Sequence, residues 1–378
     1  MIKIAMTTAG IVIMICSFWF LSLKKMTADL TVLWEIMGVV LSVTGVTPGL
    51  SDWTETFYAN RERAVICMGT VGLLFCYLLS LLLSRLSMRS HELAIEMSML
   101  LQECGDNRAD HEVCRQGAER LPRKELLIIL PVRNEEKNIG KVLEQLCRPE
   151  IKKTADILCI NDGSSDASGE IIGRYPCMQI VNVFGLGYGS ALQLGYKYAV
   201  RNQYQYVIQM DADGQHDVCN IPVLYDILRT PGENGEYPDI VLGSRFMEGS
   251  SDFPVSISKR VAYSLFRLCI RAATKRRISD PTTGLQGLSS RAALYYSKFG
   301  HFDNKYPDAN MLIQMLLLGY EVVEVPAVMH NRGFGVSMHS GLKPFVYMFR
   351  MMFSIMAVVF RIKVLHIGTG EKKDDIFF

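Results

Sequence analysis

Three apolar runs fill most of the first 83 residues, and no other feature limits the fold of this chain as much. They cover residues 4–23, 30–46 and 64–83, and a helix needs about 20 apolar residues to cross a bilayer. Inside lipid every backbone polar group must be paired within the protein, which favours helices. The N-terminal part, residues 1–104, is therefore expected to hold three transmembrane helices. The first run is long for a cleaved leader, and no small-x-small site follows it before Lys24 and Lys25. Those lysines follow the first run, and Arg85 and Arg89 follow the third. Between the second and third, Asp52, Glu55, Arg61, Glu62 and Arg63 mix signs. The positive-inside bias then puts the N-terminus outside and everything after Leu83 in the cytoplasm, with Lys3 as a weak counterweight. Glu35 interrupts the second run beside Trp34; it either pairs within the bundle or reaches the membrane interface.

Beyond the third run, Leu86, Leu93, Met97, Leu100 and Leu101 recur at helical spacing. This amphipathic stretch would face a partner helix or lie on the rest of the protein. Residues 105–124 are charged, carry Gly105 and Pro122, lack a sustained apolar period and read as a linker. With 378 residues the chain has room for one large catalytic domain beside such an attachment. Net charge is only +2, so no nucleic-acid partner is expected. The ten cysteines form no C-x-x-C pair or zinc spacing. Cys159 and Cys269 read as core residues, and a cytosolic location keeps Cys104 and Cys114 reduced.

From Glu125 the pattern changes. Residues 126–132, 156–160, 179–184 and 206–210 are short β-rich runs, and 138–147, 168–174 and 190–201 between them are helical. Such alternation predicts an α/β fold with a doubly wound, mostly parallel sheet over residues 125–340, whose ligands gather at the carboxyl ends of the strands. Polar motifs fall at those ends: Pro131-Val-Arg-Asn-Glu-Glu136, Asn161-Asp-Gly-Ser-Ser-Asp166 and Asp211-Ala-Asp-Gly-Gln-His216. Alternate carboxylates at Asp211 and Asp213 suit a hard divalent cation, Mg2+ or Mn2+, that keeps open positions for substrate phosphates. Gly185-Leu-Gly-Tyr-Gly189 before a helix could suggest dinucleotide binding, but it follows the third strand rather than the first, and the next strand ends in the carboxylate pair.

In combination and order these motifs resemble the family 2 glycosyltransferases, notably those resembling dolichyl-phosphate mannose synthase and bacterial polyprenyl-phosphate glycosyltransferases. The resemblance covers residues 124–363. It implies a GT-A-like domain in which Pro131, Glu135 and Asp162 line the nucleotide pocket. Asp211 and Asp213 would hold the metal, with Gln215 as a further ligand. Arg245, in Gly243-Ser-Arg-Phe246, would approach the donor phosphates. Asp280-Pro-Thr-Thr-Gly284 resembles an acceptor-side segment, which assigns Asp280 and Thr283 to the acceptor. Glu324-Val-Pro326, with Arg332 and Ser337 further on, resembles the closing features of the family. The chain departs from the family pattern at Asn161, where relatives carry Asp, at Tyr188, where they carry Lys, and at Gln286 and Met338, where they carry a basic residue. The N-terminal three-span unit resembles a small bacterial membrane domain of unknown function.

Two later segments are amphipathic; the first reads equally as membrane-contacting or as an ordinary core helix with a solvated basic face, and the second reads as membrane-contacting. Residues 258–277 place Arg260, Arg267, Arg271 and Lys275 along one helical face, and residues 345–363 carry Arg350, Ser354 and Arg361 along a Phe/Met/Val helix. The latter would lie in the headgroup plane, within a C-terminal part covering 341–378. The resulting expectation is an inverting, metal-dependent enzyme of the plasma membrane with a cytoplasmic catalytic domain. It would move a sugar from a nucleotide-sugar to a membrane acceptor, polyprenyl phosphate first. Arg245 and Arg332 would spread leaving-group charge. Asp308 would act as base if the acceptor is a hydroxyl of a lipid-linked glycan, or would orient the acceptor or cap the helix beginning near Asn310. The competing class is a non-catalytic nucleotide-sugar-binding scaffold, and a homo-oligomer is compatible with either.

Overall fold

The computed structural model describes residues 2–47, 62–115, 123–182, 184–233, 235–250, 257–330 and 343–368. Arg332, Ser337 and Met338 lie outside them. The described chain forms two compact units, Met1–Ser90 with Gly341–Ile367, and His91–Ser340 with Gly368–Phe378.

The first unit contains α1 (Ile2–Ser22), α2 (Ala28–Val46), the first part of α3 (Glu62–Arg115) and α12 (Lys343–Lys363). Among the described residues three helices are long and apolar enough to cross a membrane: Ile4–Ser22, Ala28–Val46 and a stretch within Gly69–Glu103. Val12, Ile15, Leu33, Val40, Leu74 and Phe75 remain exposed, as lipid-facing residues would be. Inside the bundle, Trp34 stands edge-on to Tyr77 at 5.0 Å and packs with Met26 and Leu81. The Ser17 hydroxyl donates to Glu35 at 2.8 Å, and both residues are buried. Glu35 therefore pairs within the bundle rather than at its surface.

Helix α12 corrects one expectation. Its arginines do not form a wet stripe: Arg350 and Arg361 are buried, and Arg350 donates to Asp29 at 3.1 Å. The exposed side carries Val346, Phe349 and Met356 instead. Phe360 meets Phe18 and Trp19, while Ala357 packs with Leu21 and Ala28. These partners all lie at the α1–α2 turn. On α12 the contacts from Arg350 to Phe360 extend over about 15 Å of helix. The helix therefore lies across the end of the hairpin with its apolar face outward, a placement suited to a membrane interface.

In the second unit the sheet follows the order β3-β2-β1-β4-β6-β5-β7. Its strands are β1 (Leu126–Val132), β2 (Ala155–Asn161), β3 (Met178–Val181), β4 (Tyr206–Gln209), β5 (Ile240–Ser244), β6 (Gln286–Ser289) and β7 (Val322–Pro326). Every pairing is parallel except those made by β6 with β4 and β5. Leu126 to Leu130 are fully buried, as expected of a central parallel strand covered on both faces. The helices are α4 (Ile139–Leu146), α5 (Pro149–Lys152), α6 (Ser168–Ile172), α7 (Tyr188–Arg201), α8 (Asn220–Leu228), α9 (Ile257–Thr274), α10 (Ser290–Ser297) and α11 (Ala309–Leu317). The doubly wound α/β expectation holds. Chain order reverses between β1 and β4, which creates the crevice where such folds bind ligands.

Helix α3 differs from the sequence reading in two respects. The third span and the amphipathic stretch form one continuous helix, and that helix runs to Arg115, into the segment expected to be a linker. Extending a formed helix costs far less than nucleating one, so one glycine and a run of charged residues do not stop it. Moreover, residues 91–103 group with the second unit. Ile95, Ser98 and Met99 are buried there, and Leu93, Met97, Leu100 and Leu101 are left exposed. The seven cysteines with described side chains, Cys159 and Cys269 among them, are free thiols.

Candidate active site

The carboxyl ends of β1, β2, β4 and β5 bring the motif loops to one edge of the sheet. Because β6 runs the other way, its entry segment 280–284 arrives at the same edge. This is how residues separated by more than 100 positions share one site.

The β1 and β2 loops are stitched together. The Glu135 amide donates to Ser168 Oγ (2.9 Å), the Glu136 amide to Asp166 (3.1 Å) and the Ser165 amide to Asn134 Oδ1 (2.8 Å). Asn134, at φ +55°, occupies the left-handed region that asparagine tolerates. Glu135 itself accepts from Asn138. Burial raises the Asp166 carboxyl, but hydrogen bonds from Ser168 and the Glu136 amide outweigh this and hold it below the usual range. Asn161 accepts from the Ser164 amide, and this needs an acceptor oxygen but no charge.

Asp162 is buried and densely bonded. Its Oδ1 accepts from Asn182 Nδ2 (2.9 Å) and the Leu186 amide (2.7 Å). Its Oδ2 accepts from the Gly187 amide (2.8 Å), with Arg133 at 3.6 Å. Here the carboxylate holds the 185–189 loop in place. The glycines of that loop are steric requirements: Gly187 sits at φ +102°, and a Cβ on Gly189 would collide with the Asp303 carbonyl.

Asp211 stands at the centre of the edge. Tyr188 donates to its Oδ1 at 2.9 Å, and His216 Nε2 lies 3.3 Å from its Oδ2. The other ring nitrogen of His216 is 2.9 Å from the Met329 sulfur. A side chain on Gly284 would run into the Asp211 carboxylate, so this close approach requires glycine. Burial pushes the Asp211 carboxyl up. His216, Tyr188 and the Arg245 charge outweigh that and keep it ionised below the usual carboxylate range. Burial and the neighbouring carboxylate drive the Tyr188 phenol well above its ordinary value, so it stays a donor. Asp213 accepts from the Gln215 amide at 3.0 Å, across a turn that Gly214 allows at φ +79°. Among the described residues no three His, Cys, Asp or Glu side chains converge as a complete metal cage. The available set, two carboxylates with Gln215 beside them, fits a hard cation that draws its remaining ligands from a phosphate substrate.

Arg245 forks onto Asp280, with Nε to Oδ2 at 2.7 Å and Nη2 to Oδ1 at 2.6 Å, and reaches Thr282 at 3.0 Å. Asp280 is completely buried. The pairing raises the Arg245 pKa despite burial, so the guanidinium is a permanent charge beside Asp211. Asp280 is thus an anchor for Arg245. Thr283, assigned to the acceptor side with it, is buried and donates to the Gly243 carbonyl. Gln286 is also buried and donates to the Thr283 carbonyl. Asp308 occupies the N-cap position of α11 but makes no side-chain capping hydrogen bond. Its charge reaches Tyr188, which places it on the Asp211 side of the site.

Tyr188 and His216 are not singled out by sequence as site residues. The signal for His216 is its place in the Asp211 motif, and for Tyr188 its place where relatives carry lysine.

Residues 127–288 match the model described as Glycosyl transferase family 2. An uncharacterised protein of Methanocaldococcus jannaschii is 29% identical over 176 residues, which cover 45% of this chain and 67% of that one. The polyprenol monophosphomannose synthase of Mycolicibacterium smegmatis is 26% identical over 236 residues, covering 58% and 83%. The undecaprenyl-phosphate mannosyltransferase of Micrococcus luteus is 25% identical over 222 residues, covering 57% and 88%. Among solved structures, glucosyl-3-phosphoglycerate synthase from Mycobacterium tuberculosis aligns with 17% identity and a TM-score of 0.41, covering 63% and 79%. Residues 127–288 are a family 2 glycosyltransferase domain, and the chain that joins this domain to three membrane-spanning candidates is a glycosyltransferase.

Proposed function

We propose that the protein is an inverting, divalent-metal-dependent enzyme that transfers a sugar from a nucleotide-sugar to polyprenyl phosphate at the cytoplasmic face of the plasma membrane. One observation carries the reading: Asp211, Asp213 and the permanently charged Arg245 meet at one sheet edge in a chain with its own membrane spans. Relatives named for polyprenol and undecaprenyl phosphate support the acceptor class.

Asp213 and Asp211, with Gln215, would hold Mg2+ or Mn2+, which would neutralise the donor diphosphate as it leaves. Tyr188 and His216 fix the Asp211 carboxylate before substrate arrives. Arg245, oriented by Asp280, faces charge that grows on the departing diphosphate; Arg332 is proposed for the same work. An oxygen of the lipid phosphate attacks the anomeric carbon, the bond from that carbon to the diphosphate breaks, and nucleoside diphosphate departs. The attacking oxygen is already anionic, so no base is required. Pro131 and Glu135 are proposed to border the nucleobase, Asp162 to shape that pocket through the 185–189 loop, and Ser337 to lie on the acceptor side.

The exposed face of α9 mixes Arg260 and Arg271 with Val261 and Leu268, the composition of a surface that rests on anionic lipid. Labelling of residues 105–124 from the cytoplasmic side tests the topology, and labelling only from outside inverts it. Incubating the purified protein with a panel of nucleotide-sugars and polyprenyl phosphate, then extracting lipid, tests the reaction. An acid-labile lipid-phosphate sugar is expected. A lipid-linked glycan extended at a hydroxyl would favour the second reading, in which the Asp308 carboxylate, whose charge reaches Tyr188, would serve as the base.

A further inference from the structure

We infer that α3, the helix carrying the third apolar span, also sets the donor site: Ser98 is a positioning residue acting through Asn182 and Asp162 on the 185–189 loop. The inference rests on the nucleotide-sugar reading above.

The seat of the helix is well defined. Ile95 and Met99 are fully buried against the catalytic unit, and Ser98 lies between them on the same face. Lys197 of α7, itself buried, pairs with Glu92 and with Glu96 (2.7 Å). Arg201, one turn further on, pairs with Glu96 and with Glu103 (3.0 Å). The charged ladder fixes the register of the helix, so that Ser98 meets the end of β3.

From there a directed chain of hydrogen bonds runs inward. Ser98 Oγ lies 2.9 Å from Asn182 Oδ1, and Asn182 Nδ2 lies 2.9 Å from Asp162 Oδ1. Ser98, Asn182 and Asp162 are 7%, 2% and 2% exposed, so water does not replace a lost partner easily. Counting protons gives the direction. An ionised Asp162 only accepts, so the Asn182 nitrogen must face it and the Asn182 oxygen must face Ser98. The Ser98 hydroxyl has one proton and two oxygens in reach, Asn182 Oδ1 and the Ala94 carbonyl at 3.0 Å. Giving it to Ala94 would leave two buried oxygens facing each other, so it goes to Asn182. Asp162 then takes the Leu186 and Gly187 amides, and the next residue, Tyr188, donates to Asp211. Three side chains and one turn of loop thus connect the membrane-derived helix to the metal carboxylate.

Removing the Ser98 hydroxyl leaves a buried amide oxygen unsatisfied and frees the Asn182 carboxamide to rotate away from Asp162. The affected property is the arrangement of the donor loop, not the chemical step.

The test uses the full chain with nucleotide-sugar, polyprenyl phosphate and Mg2+. Ser98→Ala should raise the donor KM, and the calorimetric Kd of nucleoside diphosphate with Mg2+, by about tenfold, the weight of one hydrogen bond. The kcat and the acceptor KM should stay within about threefold, and Ser98→Thr, which keeps the hydroxyl, should restore the donor KM. Asn182→Ala should give the same increase, and the double variant should be no worse than either single one. Glu92→Gln with Glu96→Gln, which loosens the seat but keeps Ser98, should move the donor KM in the same direction. A lower unfolding temperature with unchanged donor KM in Ser98→Ala and Asn182→Ala would reduce the contact to packing and overturn the inference alone. Wild-type protein that neither binds nucleoside diphosphate nor turns over any nucleotide-sugar would overturn the donor reading, and the inference with it.

Discussion

The loops after β2 and β4 each carry motif carboxylates at the same edge of the sheet, yet they use them in opposite ways. Asp162 is buried, and its two oxygens accept three hydrogen bonds from the protein, with Arg133 nearby. Asp211 and Asp213 are half-buried; Asp211 meets Tyr188 at one oxygen and His216 at the other, and Asp213 accepts from the Gln215 amide. A carboxylate saturated by its own chain shapes the backbone. One left half-exposed at the sheet edge can still offer lone pairs to a cation that a phosphate completes. The contrast is between architecture and chemistry, and each loop is tested by taking its charge away.

The sharpest test is Asp213→Asn, expected to lower transfer by roughly a thousandfold, the order seen when a charge-stabilising group is lost at a reacting centre. Unfolding should be unaffected, because the Gln215 amide still finds an acceptor. Near-normal turnover that still depends on added Mg2+ would remove the metal from this loop.

Asp162→Asn probes the other side of the comparison. The new amide brings its own protons toward donors that need an acceptor, so about 1–3 kcal/mol of stability should go. Turnover should fall on the order of a hundredfold, with weakened nucleoside diphosphate binding. Loss of turnover with unchanged denaturant stability would make Asp162 a ligand-contacting group instead.

His216→Asn should have a milder effect, with Asp211 still held by Tyr188 and Arg245. We expect roughly a tenfold increase in the Mg2+ concentration needed for half-maximal activity, corresponding to one hydrogen bond. An effect confined to the acceptor KM would separate His216 from the metal.

Asp308→Asn should change least, within about tenfold, if the nucleophile is an ionised lipid phosphate. A hydroxyl acceptor would instead lose the 10²–10⁴-fold typical of a missing general base. A loss in that range, with no lipid-phosphate sugar in the extract, would decide for the hydroxyl.

Much of this architecture is legible in the order of the residues. The run from Leu126 to Val132, the alternation after it and the placement of Asp211 at a strand end are local properties, because a buried strand needs an unbroken apolar run and a ligand loop must follow it. Periodicity also marks residues 86–101 as amphipathic, but it does not say which face is covered. In the structure Ile95, Ser98 and Met99 are the covered ones and the leucine stripe stays exposed. The same limit applies to α12: spacing shows that Arg350 and Arg361 share a side, but not that Asp29, more than 300 residues earlier, lets that side be buried.

Local pattern is enough for the class of the molecule: an apolar N-terminal region with three candidate spans, an α/β domain, and a carboxylate pair at the fourth strand. Runs, alternation and strand-end motifs are short-range signals, each set by a few neighbouring residues. Which polar groups are consumed within the protein is set by long-range packing. Whether Asp162, Asp280 and Gln286 face a ligand or the protein depends on partners at Asn182, Arg245 and Thr283 that sheet order brings within hydrogen-bonding distance. The physical reason is that a buried polar group must be paired, and the residue that pairs it is chosen by topology rather than by proximity in sequence.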